Sequence, residues 1–362
     1  MKLFTIHPGA STSTHDVFTG LTRALESQGH TLVKYKLSAR IAQSASWLMH
    51  SWRQARKAGL DISKPNQADI LYHAHGDALL KALHHDCEWV LLFSAMFTPL
   101  YVIRLFKKAG LKIALVLTES PYNDEEQAQI IREVDIAWTN ERSSVERLRH
   151  SNPNVYYLPH GYDEQIHSFR HPVEESILSH DVVFVGSGFH ERVEILRDTD
   201  WTDIDFGLYG FWQLGSRHRL KQYLRSGAIP NSVTAGLYRN AKIGLNIFRR
   251  SVAFDKRSPR VEGAESISPR IYELAACGCF FVSDPRDELD EIFGGAVPTF
   301  ETADELGEVV RKYLSNDVER ARIAGLLREA VVGHTWANRA ERLMNDLGAH
   351  VQQRSESEVI QT

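Results

Sequence analysis

Cysteine is scarce: Cys87, Cys277 and Cys279 are the three in 362 residues. An odd count without framework spacing excludes a disulfide-stapled secreted scaffold and argues for a cytoplasmic protein. Long hydrophobic runs are missing as well. The longest, 89–96, falls far short of the ~20 residues that span a bilayer. Met1-Lys2-Leu3-Phe4 leads into a strand-like segment closed by His7-Pro8-Gly9, so neither a transmembrane helix nor a signal peptide is expected. There is no short-period repeat and no low-complexity tract. What is present is 43% apolar and 24% charged residues with a mean hydropathy of −0.30, the composition of an ordinary water-soluble globular chain. At roughly 100 to 200 residues per domain, its length suggests two domains.

The formal charge of −4 conceals segregation. Residues 206–261 hold eleven Lys or Arg against Asp255 alone, and 27–60 hold six basic residues and no acidic one. A near-neutral total therefore does not exclude a polyanionic partner.

Short apolar, β-branched runs alternate with stretches of helical period, the pattern of a βα-repeating α/β chain with parallel sheets. Strands are expected at 3–6, 31–35, 70–72, 89–93, 113–117 and 136–138, and then at 182–185, 206–209, 243–246, 279–283 and 297–299. Helices are expected at 18–26, 191–197, 268–277, 303–314 and 321–331. Pro159 and Gly161 mark a hinge between two doubly wound domains, 1–164 and 165–334, and the polar tail 352–362 reads as disordered. In open parallel sheets ligands bind beyond the carboxyl ends of the strands, so residues just after each strand are the candidates.

The richest stretch runs from Glu265 to Asp284. Ser268 is suited to an N-cap, Pro269 to the first helical position and Gly278 to the stop. The start of that helix, with the guanidinium fork of Arg270, would hold a phosphate. Glu265 and Glu273 flank it, and carboxylates accept several hydrogen bonds from sugar hydroxyls. The alternative is a solvated Glu273 paired with Arg270, and a surface Glu265. Gly186-Ser187-Gly188 follows a strand and precedes a helix, so its amides could approach phosphates. With Glu191 at the third glycine position it is not a dinucleotide fingerprint. Arg192 is a second phosphate candidate or a structural ion pair. Tyr209-Gly210-Phe211-Trp212 could wall a nucleobase or belong to the core.

Glu265 and Glu273 reproduce the E-x7-E spacing of family 4 and related glycosyltransferases of the GT-B fold. Ser268-Pro-Arg-Ile-Tyr-Glu-Leu-Ala-Ala-Cys-Gly278 resembles the C-terminal half of the CgeB-like (spore maturation type) members, as do Val183-Phe-Val-Gly-Ser187, 237–246 and 334–339. The resemblance covers about 180–345. It implies two Rossmann-like domains facing across a cleft, with a helix at 335–351 packing back toward the first. It also implies a nucleotide diphosphate sugar, UDP-sugar first, with Glu273 on the ribose, Glu265 on the sugar and the backbone of 266–270 on the diphosphate. Gly9 would make a close backbone contact. A sugar-nucleotide epimerase and a non-catalytic sugar or nucleotide binding protein share the architecture.

Transfer needs a base for the acceptor hydroxyl and positive charge for the leaving diphosphate. Arg270 and Arg192 could supply the charge without metal, and no cofactor is expected. Glu119, heading Glu-Ser-Pro-Tyr122 after a strand, is a base candidate, with His7 and the His15-Asp16 pair as rivals. His73, His75, His84 and His85 lack a third ligand at metal spacing. Trp52, Arg53, Lys57 and Tyr122 are candidate acceptor contacts. Basic and aromatic residues together suit nucleic acid, such as a hydroxymethylated DNA base, or an anionic glycolipid, polysaccharide or membrane surface. Solvated faces balanced by nearby acids are the alternative.

Overall fold

The computed structural model describes residues 1–7, 9, 12–255 and 257–361; Pro8 and Lys256, which enter the reading above, lie outside them. Internal contacts divide the chain into two units. The first is Met1–Asn140, Ser144–Leu158 and Ala340–Thr362; the second is Glu141–Ser143 and Pro159–Arg339. The division falls at 158/159 instead of 164/165.

The first unit has strands β1 (Lys2–His7), β2 (Thr31–Lys36), β3 (Trp89–Phe93), β4 (Lys112–Val116), β5 (Ile136–Thr139) and β6 (Val155–Tyr157). They pair in parallel in the order β2-β1-β3-β4-β5-β6. Helices α1 (Thr12–Ser27), α2 (Leu37–Lys57), α3 (Gln67–His84), α4 (Leu100–Lys108), α5 (Asp124–Ile131) and α6 (Val145–Arg149) connect them. Every residue of β3 is buried, which is why it reads as a continuous apolar run: a parallel sheet is covered on both faces.

The expected strand at 70–72 is instead part of α3. Asn66 accepts from the Asp69 amide at 3.1 Å while its own amide donates to the Asp69 carboxylate at 2.9 Å, a reciprocal cap worth about 1 kcal/mol. Leu71, Ala74, Ala78 and Ala82 then bury one face at helical spacing, and this period overrides the short β-like triplet.

The second unit has β7 (Val182–Val185), β8 (Phe206–Tyr209), β9 (Leu224–Ser226), β10 (Ile243–Asn246) and β11 (Phe281–Ser283), ordered β11-β10-β7-β8-β9 and parallel throughout. Its helices are α7 (His190–Asp198), α8 (Asn231–Asn240), α9 (Pro269–Ala276), α10 (Asp287–Phe293), α11 (Ala303–Leu314) and α12 (Asp317–Ala330). Residues 297–299 contribute only a single bridge, Ser283 to Thr299. Helix α13 (Trp336–Gln361) starts in this unit and continues in the first, where Trp138 Nε1 donates to Asp346 at 2.9 Å. The stretch read as a disordered tail is thus helical through Gln361.

Helix α9 lies unusually close to its sheet. A Cβ on Gly244 would stand 2.3 Å from Leu274 Cδ2, so the bare backbone of β10 is what admits the helix. Ile271, Tyr272, Leu274 and Ala275 bury its inner face, and Gly278, at φ +71°, ends it.

Candidate functional site

In the second unit the strand order reverses between β10 and β7, and the carboxyl ends of those strands frame the crevice where open α/β sheets bind ligands. Arg270 bridges the two ends. Its Nε donates to the Val185 carbonyl at 2.8 Å and its Nη1 to Asn246 Oδ1 at 2.8 Å. The guanidinium lies over the Phe184 ring, 4.8 Å from its centre. Asn246 is fully buried and donates to Ser283 Oγ at 2.8 Å, so the amide oxygen facing Arg270 is fixed by a second hydrogen bond. The outer nitrogen, Nη2, points past Gly186, where a Cβ would come within 2.4 Å of it.

Around this arginine the expected anion site is narrower than the sequence suggests. Ser268 occupies the N-cap without a side-chain cap bond, and its Oγ lies 3.4 Å from Asn246 Oδ1. Pro269 has no N–H, and the Ile271 amide donates to the Ser268 carbonyl. The amides of Glu265 and Ser266 donate to the buried Glu141 carboxylate, and that of Ile267 to the buried Glu288 at 2.7 Å. The anions served by 265–267 are therefore the protein's own carboxylates, a correction to the diphosphate role expected of that backbone. The same holds for Gly186 and Gly188, whose amides donate to the Tyr209 and Phe211 carbonyls; the glycines supply space, not phosphate donors.

The two flanking carboxylates are both engaged. Glu265 Oε2 accepts from Arg142 Nε at 2.7 Å, and Arg142 Nη1 donates to Glu291 at 2.6 Å. Glu291 first, and Glu265 with it, hold the Arg142 guanidinium charged, above its already high ordinary pKa. Glu273 Oε1 lies 3.8 Å from Nε2 of the buried His167. The Asp163 amide donates to His167 Nδ1, so the proton sits on Nε2, turned toward Glu273 and Asn231 Oδ1.

Two expected ligand contacts are framework residues. Arg192 is buried, with Nε on the Ile247 carbonyl (2.8 Å) and Nη1 on the Ser187 carbonyl (3.0 Å), so it ties two strand-end loops together and is not a phosphate group. Tyr209 is buried with its hydroxyl on His180 Nε2 at 2.8 Å, so it is core and not a base platform. Two exposed aromatics follow or face this strand end, Phe211 (52%) and Phe254 (39%), with rings 5.7 Å apart, and Phe254 stacks at 4.4 Å on Phe189. Phe254 belongs to an excursion closed by the antiparallel bridge Ser251 to Arg260. Glu191 anchors it, accepting from the Arg250 and Ser251 amides and the Ser251 hydroxyl. Burial opposes ionisation of Glu191, but these donors outweigh it and hold its carboxyl below the ordinary range.

In the first unit the order reverses between β1 and β3. His7 ends β1; it is buried against Phe18 (4.6 Å), and its Nε2 has no hydrogen-bond partner among the described residues. Burial, with the positive neighbours His15 and Lys36, pushes its pKa down to about 4, so the ring is neutral at pH 7. After β3, Ser94, Ala95 and Phe97 take positive φ, a costly run that sits at the same switch point. Asp16 is half-buried on α1. Glu119 is half-buried after β4, next to Ser120, which exchanges two hydrogen bonds with the Asn140 side chain; Tyr122 donates its amide to the Glu119 carbonyl. Gly9, at φ +143°, makes its close approach to Ser38. Trp52, Arg53 and Lys57 lie on α2, apart from both switch points in sequence. Of the histidine pairs, His75 bridges the Leu71 carbonyl and Thr98 Oγ1 and His73 contacts Ser44 Oγ, while the His84 and His85 rings meet each other edge-on at 5.3 Å. No cluster of three or more metal-ligating side chains occurs among the described residues.

Residues 187–345 match the model of a family described as glycosyl transferase-like. Among solved structures, the trehalose-6-phosphate synthase OtsA aligns with 96% of this chain and 99% of its own at TM-score 0.63 and 10% identity. An E. coli trehalose-6-phosphate structure bound with UDP-2-fluoro glucose aligns with the same shares at 0.61 and 10%. A Listeria monocytogenes protein described as a UDP-N-acetylglucosamine 2-epimerase aligns with 97% of both chains at 0.57 and 14%. The fold is GT-B. No curated protein matches in sequence.

Within this GT-B chain, sequence reasoning found Arg270 but missed the groups that set its surroundings: Asn246, Glu141, Arg142 and Glu288. Asn246 ends a strand it had identified, so the rule of inspecting strand ends could have found it. Glu141 and Arg142 carry no local signal, since they act on residues more than a hundred positions away.

Proposed function

We propose that the chain transfers a sugar from a nucleoside diphosphate sugar, UDP-sugar first, to a hydroxyl acceptor, as a metal-independent enzyme of the CgeB-like kind. The observation that carries this reading is Arg270, held across the ends of β7 and β10 with one nitrogen turned past Gly186. The match of 187–345 to a glycosyltransferase-like family supports it. In the reaction the bond from the anomeric carbon to the diphosphate oxygen breaks. The bond to the acceptor oxygen forms, and the acceptor proton passes to a base. Arg270 meets the charge that gathers on the departing diphosphate, with Ser268 beside it. Phe211 and Phe254 offer the nucleobase an exposed aromatic face. For the proton, His7 is the favoured group, because its neutral Nε2 lacks a partner among the described residues, ahead of Glu119 and Asp16.

A hydroxymethylated DNA base as acceptor is the finer version of this reading, and four of the eleven cations in the basic stretch that suggested it are ion-paired among the described residues. Arg225 meets Asp205, Lys242 meets Asp181, Arg250 meets Asp284 and Arg260 meets Glu194.

Calorimetric titration with UDP and UDP-sugars tests the donor site. Arg270→Ala should weaken binding by roughly 10- to 100-fold, the worth of one charge-assisted pair, with circular dichroism confirming a folded variant. Unchanged affinity would overturn the placement. UDP release that requires a hydroxyl acceptor supports transfer with or without Mg²⁺. Conversion of the sugar without an acceptor would instead mark an epimerase.

A further inference from the structure

Helices α2 and α3 pack side by side, and their junction presents an unusual surface. Residues 58–64 are exposed at every position, and the Ala58, Gly59 and Leu60 amides fold this segment back on the last turn of α2. Leu60 is 56% and Ile62 44% exposed, and Trp52 Nε1 donates to the Ile62 carbonyl at 3.2 Å. At the start of α3, the Ala68 carbonyl accepts from the Tyr101 hydroxyl at 3.1 Å, and the Tyr101 and Tyr72 rings lie 6.1 Å apart. Trp47 stacks on His73 at 5.0 Å while remaining 58% exposed. Along the paired helices, then, Trp47 stands against α3, Tyr72 and Tyr101 against each other, and the segment with Leu60 and Ile62 against Trp52.

The charge there is net positive, with four cations against the carboxylates of Asp61 and Asp69. Arg53, Lys57 and Lys64 are exposed and have no ion pair among the described residues, while Arg56 pairs with Asp61 at 2.7 Å and Asp69 is used in the α3 cap. No helix among the described residues is long and apolar enough to cross a membrane.

We infer that this junction docks the protein on the surface of an anionic phospholipid bilayer. Tryptophan and tyrosine favour the headgroup boundary, where one end of the ring is dry and the other wet. Leu60 and Ile62 would leave water for the acyl edge, and Arg53, Lys57 and Lys64 would face lipid phosphates. A nucleic acid would reward the same cations and aromatics but leave both aliphatic side chains in water, which decides between the two. The inference does not depend on the donor reading.

Co-sedimentation of the full chain with vesicles of phosphatidylglycerol and phosphatidylcholine (3:7), against phosphatidylcholine alone, tests it. Binding is expected on the anionic vesicles and is expected to weaken in 0.5 M NaCl. It should fall about tenfold in the Leu60→Ser/Ile62→Ser double variant and by a similar factor in Arg53→Gln/Lys57→Gln. Both variants should retain the parent's melting temperature and UDP response. Absence of binding to anionic vesicles, or binding that neither pair of substitutions alters, overturns the inference. So does capture of duplex DNA in place of vesicles, or a dimer in solution that the Leu60/Ile62 variant abolishes.

Discussion

Two basic stretches that look alike in composition behave differently in the folded chain. In 206–261 four of the eleven cations are ion-paired, among the described residues, with acids from elsewhere in the same unit: Asp181, Asp205, Glu194 and Asp284 come from other strands, helices and loops. Arg239 is spent on the Ile166 and Ser168 carbonyls. In 27–60, Lys34, Arg40 and Arg56 are paired, but Arg53 and Lys57, and Lys64 just beyond, have no ion pair among the described residues. A surplus of charge along a sequence therefore describes a surface only after its partners in space are known. The larger stretch draws its paired acids from distant elements, whereas the smaller leaves a cluster of cations on one helix and the segment that follows it.

Acid is the broadest way to erase this contrast, since it removes the carboxylates' charge and protonates imidazoles kept neutral by burial. Burial depresses His7 to about 4 from an ordinary 6.5, with His15 and Lys36 adding to it, and depresses His160 likewise to about 4, with Arg339 adding to it. Because the unfolded chain takes up these protons first, their contribution is whole above pH 6.5 and is lost as pH falls toward 4. Urea unfolding at pH 7 and pH 4.5 should differ by on the order of 1 to 3 kcal/mol for each histidine, and His7→Gln should remove one share. A smaller break is local: Glu191→Ala strands the Arg250 and Ser251 amides and should cost about 2 to 4 kcal/mol by urea denaturation. The smallest effects sharpen the contrast most directly. Arg250→Gln leaves buried Asp284 without its cation and should cost about 1 kcal/mol, whereas Arg53→Gln and Lys57→Gln should each stay within about 0.5 kcal/mol of the parent. Equal losses in the two regions would dissolve the distinction.

Most strands were legible because parallel strands buried on both faces are written as unbroken apolar runs, as in 89–93 and 182–185. The 70–72 triplet failed because its neighbours at helical spacing are alanines, which periodicity weighs lightly, and because an Asn-Asp capping box is a quieter signal than a serine or threonine one. At the candidate site, Arg270 and the helix start were legible from Ser-Pro-Arg. The occupation of the surrounding amides was not. Glu141 and Glu288 reach the loop 265–267 from remote positions, and long-range acceptance by a carboxylate leaves no trace in local pattern. Tyr209 and Arg192 misled for a related reason: neither a strand end nor the first turn of a helix says which side its side chain takes.

The void at position 186 has an evolutionary corollary. With one loop amide already committed to the neighbouring strand, the only adjustable quantity there is volume, and even a methyl group would meet the guanidinium of Arg270 at 2.4 Å. Alanine or serine at this site would shove the arginine's free end off its line without touching either of its anchors, so the reach of the one long cation is tuned by an atom that is not there.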